Sequence, residues 1–189
     1  MTNKTDKYAW ISDIIHTNVV AKLRGRTFAN IIDMGTTTGS LLARLREVFT
    51  DSRFFVFSLR NKMSLSDSAD LKVVTNEQDL HDHSYDLILS VFDMHSMDPL
   101  WDNEFLELIN KISDTNSTIV FSDIEINTGT ANFLISLAKL FNPRLKNIMS
   151  RDKVIELLKE KGFDISESDG YKINSVWSAW IILCKKKRS

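Results

Sequence analysis

The feature that most constrains this chain is an alternation. Short apolar runs at 28–34, 54–59, 71–75, 85–91 and 117–122 are separated by stretches with helical spacing or by short polar connections. Runs that are apolar at successive positions, not at every second one, suit strands buried on both faces. Strands that alternate with helices build a parallel sheet covered on two sides. Two final strand-like runs, 163–168 and 175–184, flank the turn-forming pair Asp169-Gly170 and predict an antiparallel hairpin at one edge. The expected fold class is α/β: a seven-stranded, mostly parallel sheet with helices on both faces and a C-terminal antiparallel hairpin.

Residues 5–23 place Tyr8, Ile11, Ile14, Ile15, Val19 and Leu23 at three- and four-residue steps, which predicts an amphipathic cap helix. Segments 40–49 and 100–112 read as helices packed on the sheet, and 60–70 as a polar connection holding a short helix. The clearest helix is 151–161, with Ser150 as N-cap and Gly162 as its stop. There is no internal repeat, no low-complexity linker and only two prolines, so nothing divides the 189 residues. One domain is expected: a cap helix at 1–27, a cofactor-binding core at 28–124, a candidate substrate lid at 125–149, and a late helix with the hairpin at 150–189.

Composition removes several classes of function. An apolar share of 43 % is enough for one core and excludes a disordered chain. The longest uncharged stretch, 126–138, falls short of the about 20 apolar residues that span a bilayer. The N-terminal residues lack the apolar run of a secretory signal and the single Cys184 has no internal partner, so a reducing, cytoplasmic compartment is expected. Residues 61–130 carry 14 acidic side chains against 3 basic ones, which repels phosphate backbones and argues against a nucleic-acid partner. The dense basic run, 185–188, reads as a frayed solubilising tail.

In an open α/β sheet, ligands bind beyond the carboxyl ends of the strands, where the strand order reverses. The loop that matters most is therefore Asp33-Met34-Gly35-Thr36-Thr37-Thr38-Gly39-Ser40. Its glycines permit a tight turn and close approach of backbone to ligand, and the following helix presents unpaired N–H groups. A purely structural strand-to-helix turn would use the same two glycines.

With its neighbours, this loop resembles the class I S-adenosylmethionine-dependent methyltransferases, from about residue 28 to the C-terminus. IIDMGTTTGSLLARL is similar to their first motif, an acidic residue followed by a G-x-G-x-G loop. HDHSYDLILSVFDMHSM resembles their fourth-strand region, STIVFSDI the fifth strand, and SRDKVIELLKEKGFDI the late helix and strand. The resemblance implies a Rossmann-like fold and S-adenosylmethionine as cofactor. It also implies a cofactor site made by Asp33, Gly35, Thr37 and Gly39, with Asp33 meeting the amino acid moiety directly or through water.

Departures from the pattern are informative. Thr37 replaces the middle loop glycine, Ser58 stands where an acid usually holds the ribose hydroxyls, and Asn76 stands on the adenine side. A hydroxyl and an amide can still hydrogen-bond these groups, but without the charge-assisted bond to ribose the affinity falls. Glu77 or Asp79 restores an acid if the register shifts. Arg60 suits a phosphate, as in a dinucleotide enzyme, although Thr37 and Ser40 break the G-x-G-x-x-G spacing that such an enzyme needs.

Transfer of a methyl group to a hydroxyl needs in-line positioning and a base. His95 follows the fourth strand, where small-molecule members of the family often carry a histidine; it reads either as that base or as a packing residue. Asp93 and Asp123 close the fourth and fifth strands towards one crevice, where they orient substrate or polarise a nucleophile, Asp93 being assigned to the cofactor and Asp123 to catalysis, or else they cap and order the loops there. His81 and His83 alternate on a loop without a third placed ligand, so no metal is expected, and His16 reads as a surface residue of the first helix.

Phe133, Leu134, Leu137, Leu140 and Phe141 give the 125–149 segment an apolar stripe that covers substrate, packs on the sheet or pairs with another subunit. Trp177 and Trp180, three apart in the last strand, face opposite sides of it. Two functions are thus expected. One is methyl transfer to a small-molecule acceptor. The other is a catalytically inactive methyltransferase-like protein that binds or assembles with a partner, a homodimer included. Non-methyl chemistry on the same cofactor is a variant of the first.

Overall fold

The structure is a computed structural model that describes residues 9–35, 40–57, 71–92, 94–96, 99–126 and 147–188. The chain runs through α1 (Ala9–Leu23), β1 (Asn30–Asp33), α2 (Ser40–Val48), β2 (Arg53–Phe57), β3 (Leu71–Val74) and α3 (Glu77–Leu80). It continues through β4 (Leu87–Val91), a 3-10 turn (Met94–Ser96), α4 (Pro99–Ile112), β5 (Thr118–Ile126), α5 (Arg151–Glu160), β6 (Phe163–Lys172) and β7 (Trp177–Lys186).

The strands form one sheet of seven in the order β3-β2-β1-β4-β5-β7-β6. β1 to β5 pair in parallel, and β7 enters antiparallel between β5 and β6. The mostly parallel α/β sheet with a terminal hairpin is therefore as the apolar runs predict. All five residues of β4 are buried, the signature of a strand covered on both faces.

Two apolar layers account for that burial. On one face Leu80, Phe105, Leu106, Val154 and Leu158 bring α3, α4 and α5 against Ile32, Ile88 and Phe121. On the other, Ile11, Ile15, Val19 and Leu23 of α1 pack with Leu41 and Leu45 of α2 against Ile31, Leu89 and Val120. Trp180 belongs to the first layer and Trp177 packs against the second, so the two tryptophans do face opposite sides. Lys22 pairs with Glu167 and Asp169, and Arg26 with Glu167, which ties the end of α1 to the edge strand β6.

Three expectations need correction. β5 does not end at 122: it continues to Ile126 because β7 supplies a partner up to Ile126↔Trp177 after parallel β4 has stopped at Val91↔Ser122. The hairpin does not turn at Asp169-Gly170. Both residues lie within β6, and the reversal falls at 173–176, where the Asn174 side chain accepts from the N–H groups of Val176 and Trp177. A Cβ at Gly170 would meet the Arg151 guanidinium at 3.2 Å, so a larger residue there would displace that side chain slightly. Lys185 and Lys186 do not fray either. They pair with Asp164 and Phe163, and Lys186 Nζ donates to the carbonyls of Asn110 and Ser113 at the end of α4.

Ser150 and Gly162 bound α5 as the sequence predicts: Ser150 accepts from Lys153 N–H and Gly162 takes φ +85°. Ser150→Ala should lower the free energy of unfolding by about 1 kcal/mol in urea titration, the usual loss for an N-cap hydroxyl. The expected short helix in 60–70, Tyr8 and the apolar stripe of 133–141 lie outside the described residues. Among the described residues no helix is long and apolar enough to cross a membrane.

Candidate functional site

Asp33 is the last residue of β1, and β1 lies between β2 and β4, where successive strands depart in opposite directions. Its carboxylate is fully buried, with Oδ1 accepting from Gly35 N–H at 3.2 Å. The chain is thereby turned sharply at the sheet's carboxyl edge, and Ser40 begins α2 five residues beyond Gly35. Thr37, Gly39, Ser58, Arg60 and Asp93 lie outside the described residues.

A second cluster forms where β4 ends and β5 continues. Phe92 leaves β4 with φ +61°, a left-handed conformation uncommon for a bulky side chain, and redirects the chain into the 3-10 turn that carries His95. Because β5 outlasts β4, Asp123 projects just past the end of its neighbour. His95 meets it there twice: its backbone N–H donates to Oδ2 at 2.9 Å, and its Nδ1 lies 2.7 Å from Oδ1. Ile124 N–H also donates to Oδ1, at 2.7 Å. A carboxylate accepts only, so Nδ1 carries the proton and Nε2 is the acceptor of the neutral ring.

The pair is enclosed. His95 and Asp123 are both buried, and the Phe92 ring lies against the imidazole with centroids 4.4 Å apart. Met94, Ile124, Asn147, Met149 and Trp180 line the recess around them. Asn147 N–H donates to the His95 carbonyl, so the chain returning from the 125–149 segment closes on the histidine. His95 and Asp123, identified one by one in the sequence, thus form one unit. Phe92 and Asn147 carry no sequence signal that would have placed them in it.

Other candidates are engaged elsewhere. Asn76 caps α3, with Oδ1 accepting from Asp79 N–H and Nδ2 donating to the Asp79 carboxylate. His83 packs on Phe55 and lies 3.0 Å from Lys72 Nζ, while His81 is exposed. Among the described residues, no three His, Cys, Asp or Glu side chains gather as a metal site.

His16 is not the surface residue that the sequence suggests. Only 3 % of it is exposed, and Nδ1 lies 3.1 Å from Ser40 Oγ at the start of α2. Burial, with the positive charge of Arg44 added, pushes its pKa down to about 4, against a smaller upward pull from Asp13.

No family model matches the sequence, and no curated protein does. Solved structures do match the fold. Mitomycin 7-O-methyltransferase MmcR superimposes with a TM-score of 0.68 at 18 % identity, over 93 % of this chain and 54 % of that one. N,N-8-amino-8-demethyl-D-riboflavin dimethyltransferase RosA from Streptomyces davawensis gives 0.65 at 16 % identity, over 94 % and 55 %. Human N-acetylserotonin methyltransferase in complex with SAM gives 0.64 at 16 % identity, over 96 % and 53 %. The chain has the fold of these methyltransferases and spans about half the length of each.

Proposed function

We propose that the chain carries out S-adenosylmethionine-dependent methyl transfer to a small-molecule acceptor, with His95 as the base that takes the acceptor's proton. The observation that carries this reading is the His95–Asp123 pair, held by two hydrogen bonds at the carboxyl edge of a sheet that known methyltransferases share.

The residues present fit the cofactor at the loop that starts from β1. A buried carboxylate, Asp33, stands at the reversal point of the strand order, and the N–H groups of the first turn of α2 follow at Ser40. Asp33 and Gly35 would hold the amino acid moiety, with Thr37 and Gly39 completing the loop and Ser58 and Asp93 on the nucleoside side. When bound, S-adenosylmethionine supplies a methyl group on a sulfonium, which a nucleophile displaces directly.

The chain's own residues do the rest. His95 Nε2 accepts the proton of an acceptor O–H or N–H, and Asp123 fixes the ring's orientation and stabilises the imidazolium that forms. Met94, Met149 and Trp180 give the recess an apolar wall that keeps water from the pair.

A specific observation favours the rival reading, a binding or assembly partner without catalysis: the Asn76 amide is committed to its own helix cap. Isothermal titration decides between them. Micromolar binding of S-adenosylmethionine and S-adenosylhomocysteine sustains the enzyme, and Asp33→Asn should weaken both by about ten- to a hundredfold, the loss of a hydrogen bond to a charged group. No heat up to millimolar ligand overturns it in favour of the partner.

A further inference from the structure

The seam between α1 and α2 is apolar along most of its length but polar at the end nearest the sheet's carboxyl edge. Asp13, His16 and Thr17 lie three and four apart on α1, and Ser40 and Arg44 four apart on α2. Arg44 reaches back to the Asp13 carboxylate and to Thr17 Oγ1. His16 shares its hydrogen bond with Ser40 Oγ.

His16 is the costly member of this seam. Its Nε2 is buried without a hydrogen-bond partner among the described residues, on a helix whose Ile15, Val19 and Val20 share one apolar layer with Leu41 and Leu45 of α2. A leucine would bury there with no orphaned nitrogen. A buried polar atom held at this disadvantage marks a constraint other than packing. The bond it does make spans from α1 to the first residue of α2, directly after the loop that Asp33 and Gly35 open.

We propose that His16 is a positioning residue of the cofactor site: through Ser40 it fixes the start of α2, the helix that follows the loop opened by Asp33 and Gly35. This rests on reading 33–40 as the cofactor loop. The imidazole acts as a neutral ring, facing Ser40 and Arg44 from α2 and Asp13 from its own helix. α1 is then part of the binding machinery and not only a cover over the sheet.

The test uses wild type, His16→Leu, His16→Asn, Ser40→Ala and the Leu/Ala double variant. Asparagine can place a polar atom near the position of Nδ1, and Ser40 is exposed, so its replacement does not threaten folding. His16→Leu and Ser40→Ala should each weaken S-adenosylhomocysteine binding about tenfold, with the double variant no worse than either and His16→Asn within about threefold of wild type. Amide exchange over 40–48 should speed up in the same variants. Unchanged affinity and exchange in His16→Leu, or losses that add in the double variant, overturn the proposal. If wild type binds no S-adenosylhomocysteine, the cofactor reading fails. The positioning role falls with it, whereas cofactor binding by wild type that His16→Leu leaves unchanged overturns the positioning role alone.

Discussion

His95→Asn should lower the rate of methyl transfer by about 10²- to 10⁴-fold, the usual contribution of a positioned base, while leaving the cofactor dissociation constant within about threefold of wild type. The asparagine can keep a hydrogen bond to Asp123 in the place of Nδ1 but offers nothing in the place of Nε2, so the pair is preserved and the proton acceptor is lost. Asp123→Asn attacks the same unit from behind. Its amide can donate where the carboxylate accepted, which invites the tautomer with the proton on Nε2, and a rate loss of similar size is expected. Turnover is read as transfer of the tritiated methyl of S-adenosylmethionine to a phenol taken from a panel screened with wild type, and cofactor binding by calorimetry.

The pH profile separates a base from a packing residue. In wild type the rate should fall on the acid side as the imidazole takes up a proton, and that limb should be missing from the residual activity of His95→Asn. If His95→Asn turns over at the wild-type rate with the wild-type profile, the histidine only packs and the proposed chemistry has no base.

The fold was legible because its determinants are local. The parallel strands are runs such as YDLILSV that no helix stripe imitates, and Ser150 and Gly162 punctuate α5 through their own backbone preferences. What failed depended on partners far away. β5 looked finished at Ser122 because its apolar run ends there, yet β7 extends it by pairing Ile126 with Trp177. Asp169-Gly170 has turn chemistry, but pairing with Ile181 and Trp180 of β7, and the Lys22–Asp169 ion pair, keep these residues in the strand, and Asn174 makes the turn instead.

The same division runs through the candidate site. His95 and Asp123 stood out singly, each at the end of a strand-like run, but their contact crosses 28 residues and follows from the extra length of β5. His16 had a readable signal. It lies four residues before Val20 and seven before Leu23, so it shares the buried side of α1. Its polarity outweighed its position, which made it look like a surface residue.

That buried histidine gives the chain a pH dependence whose sign is fixed. In the unfolded chain an imidazole titrates near 6.5, whereas in the fold His16 titrates at about 4, first because it is desolvated and then because Arg44 repels a second positive charge. Between those values the unfolded chain binds the proton more readily than the folded one. Stability is therefore at its full value above pH 6.5 and falls as the pH drops towards 4, by up to about 3 kcal/mol from this residue alone, at 1.36 kcal/mol per unit. In His16→Leu that decline should vanish, leaving the two proteins within about 1 kcal/mol of each other at pH 7, where the ring is neutral. Urea midpoints of both proteins at pH 7, 5.5 and 4.5 give the answer as a difference. Contributions such as that of Glu167, whose pKa is lowered chiefly by its hydrogen bond to Lys22, are common to both and cancel. Parallel curves from pH 7 to pH 4.5 would mean that the ring is already solvated in the folded state, and the α1–α2 seam would lose its neutral histidine.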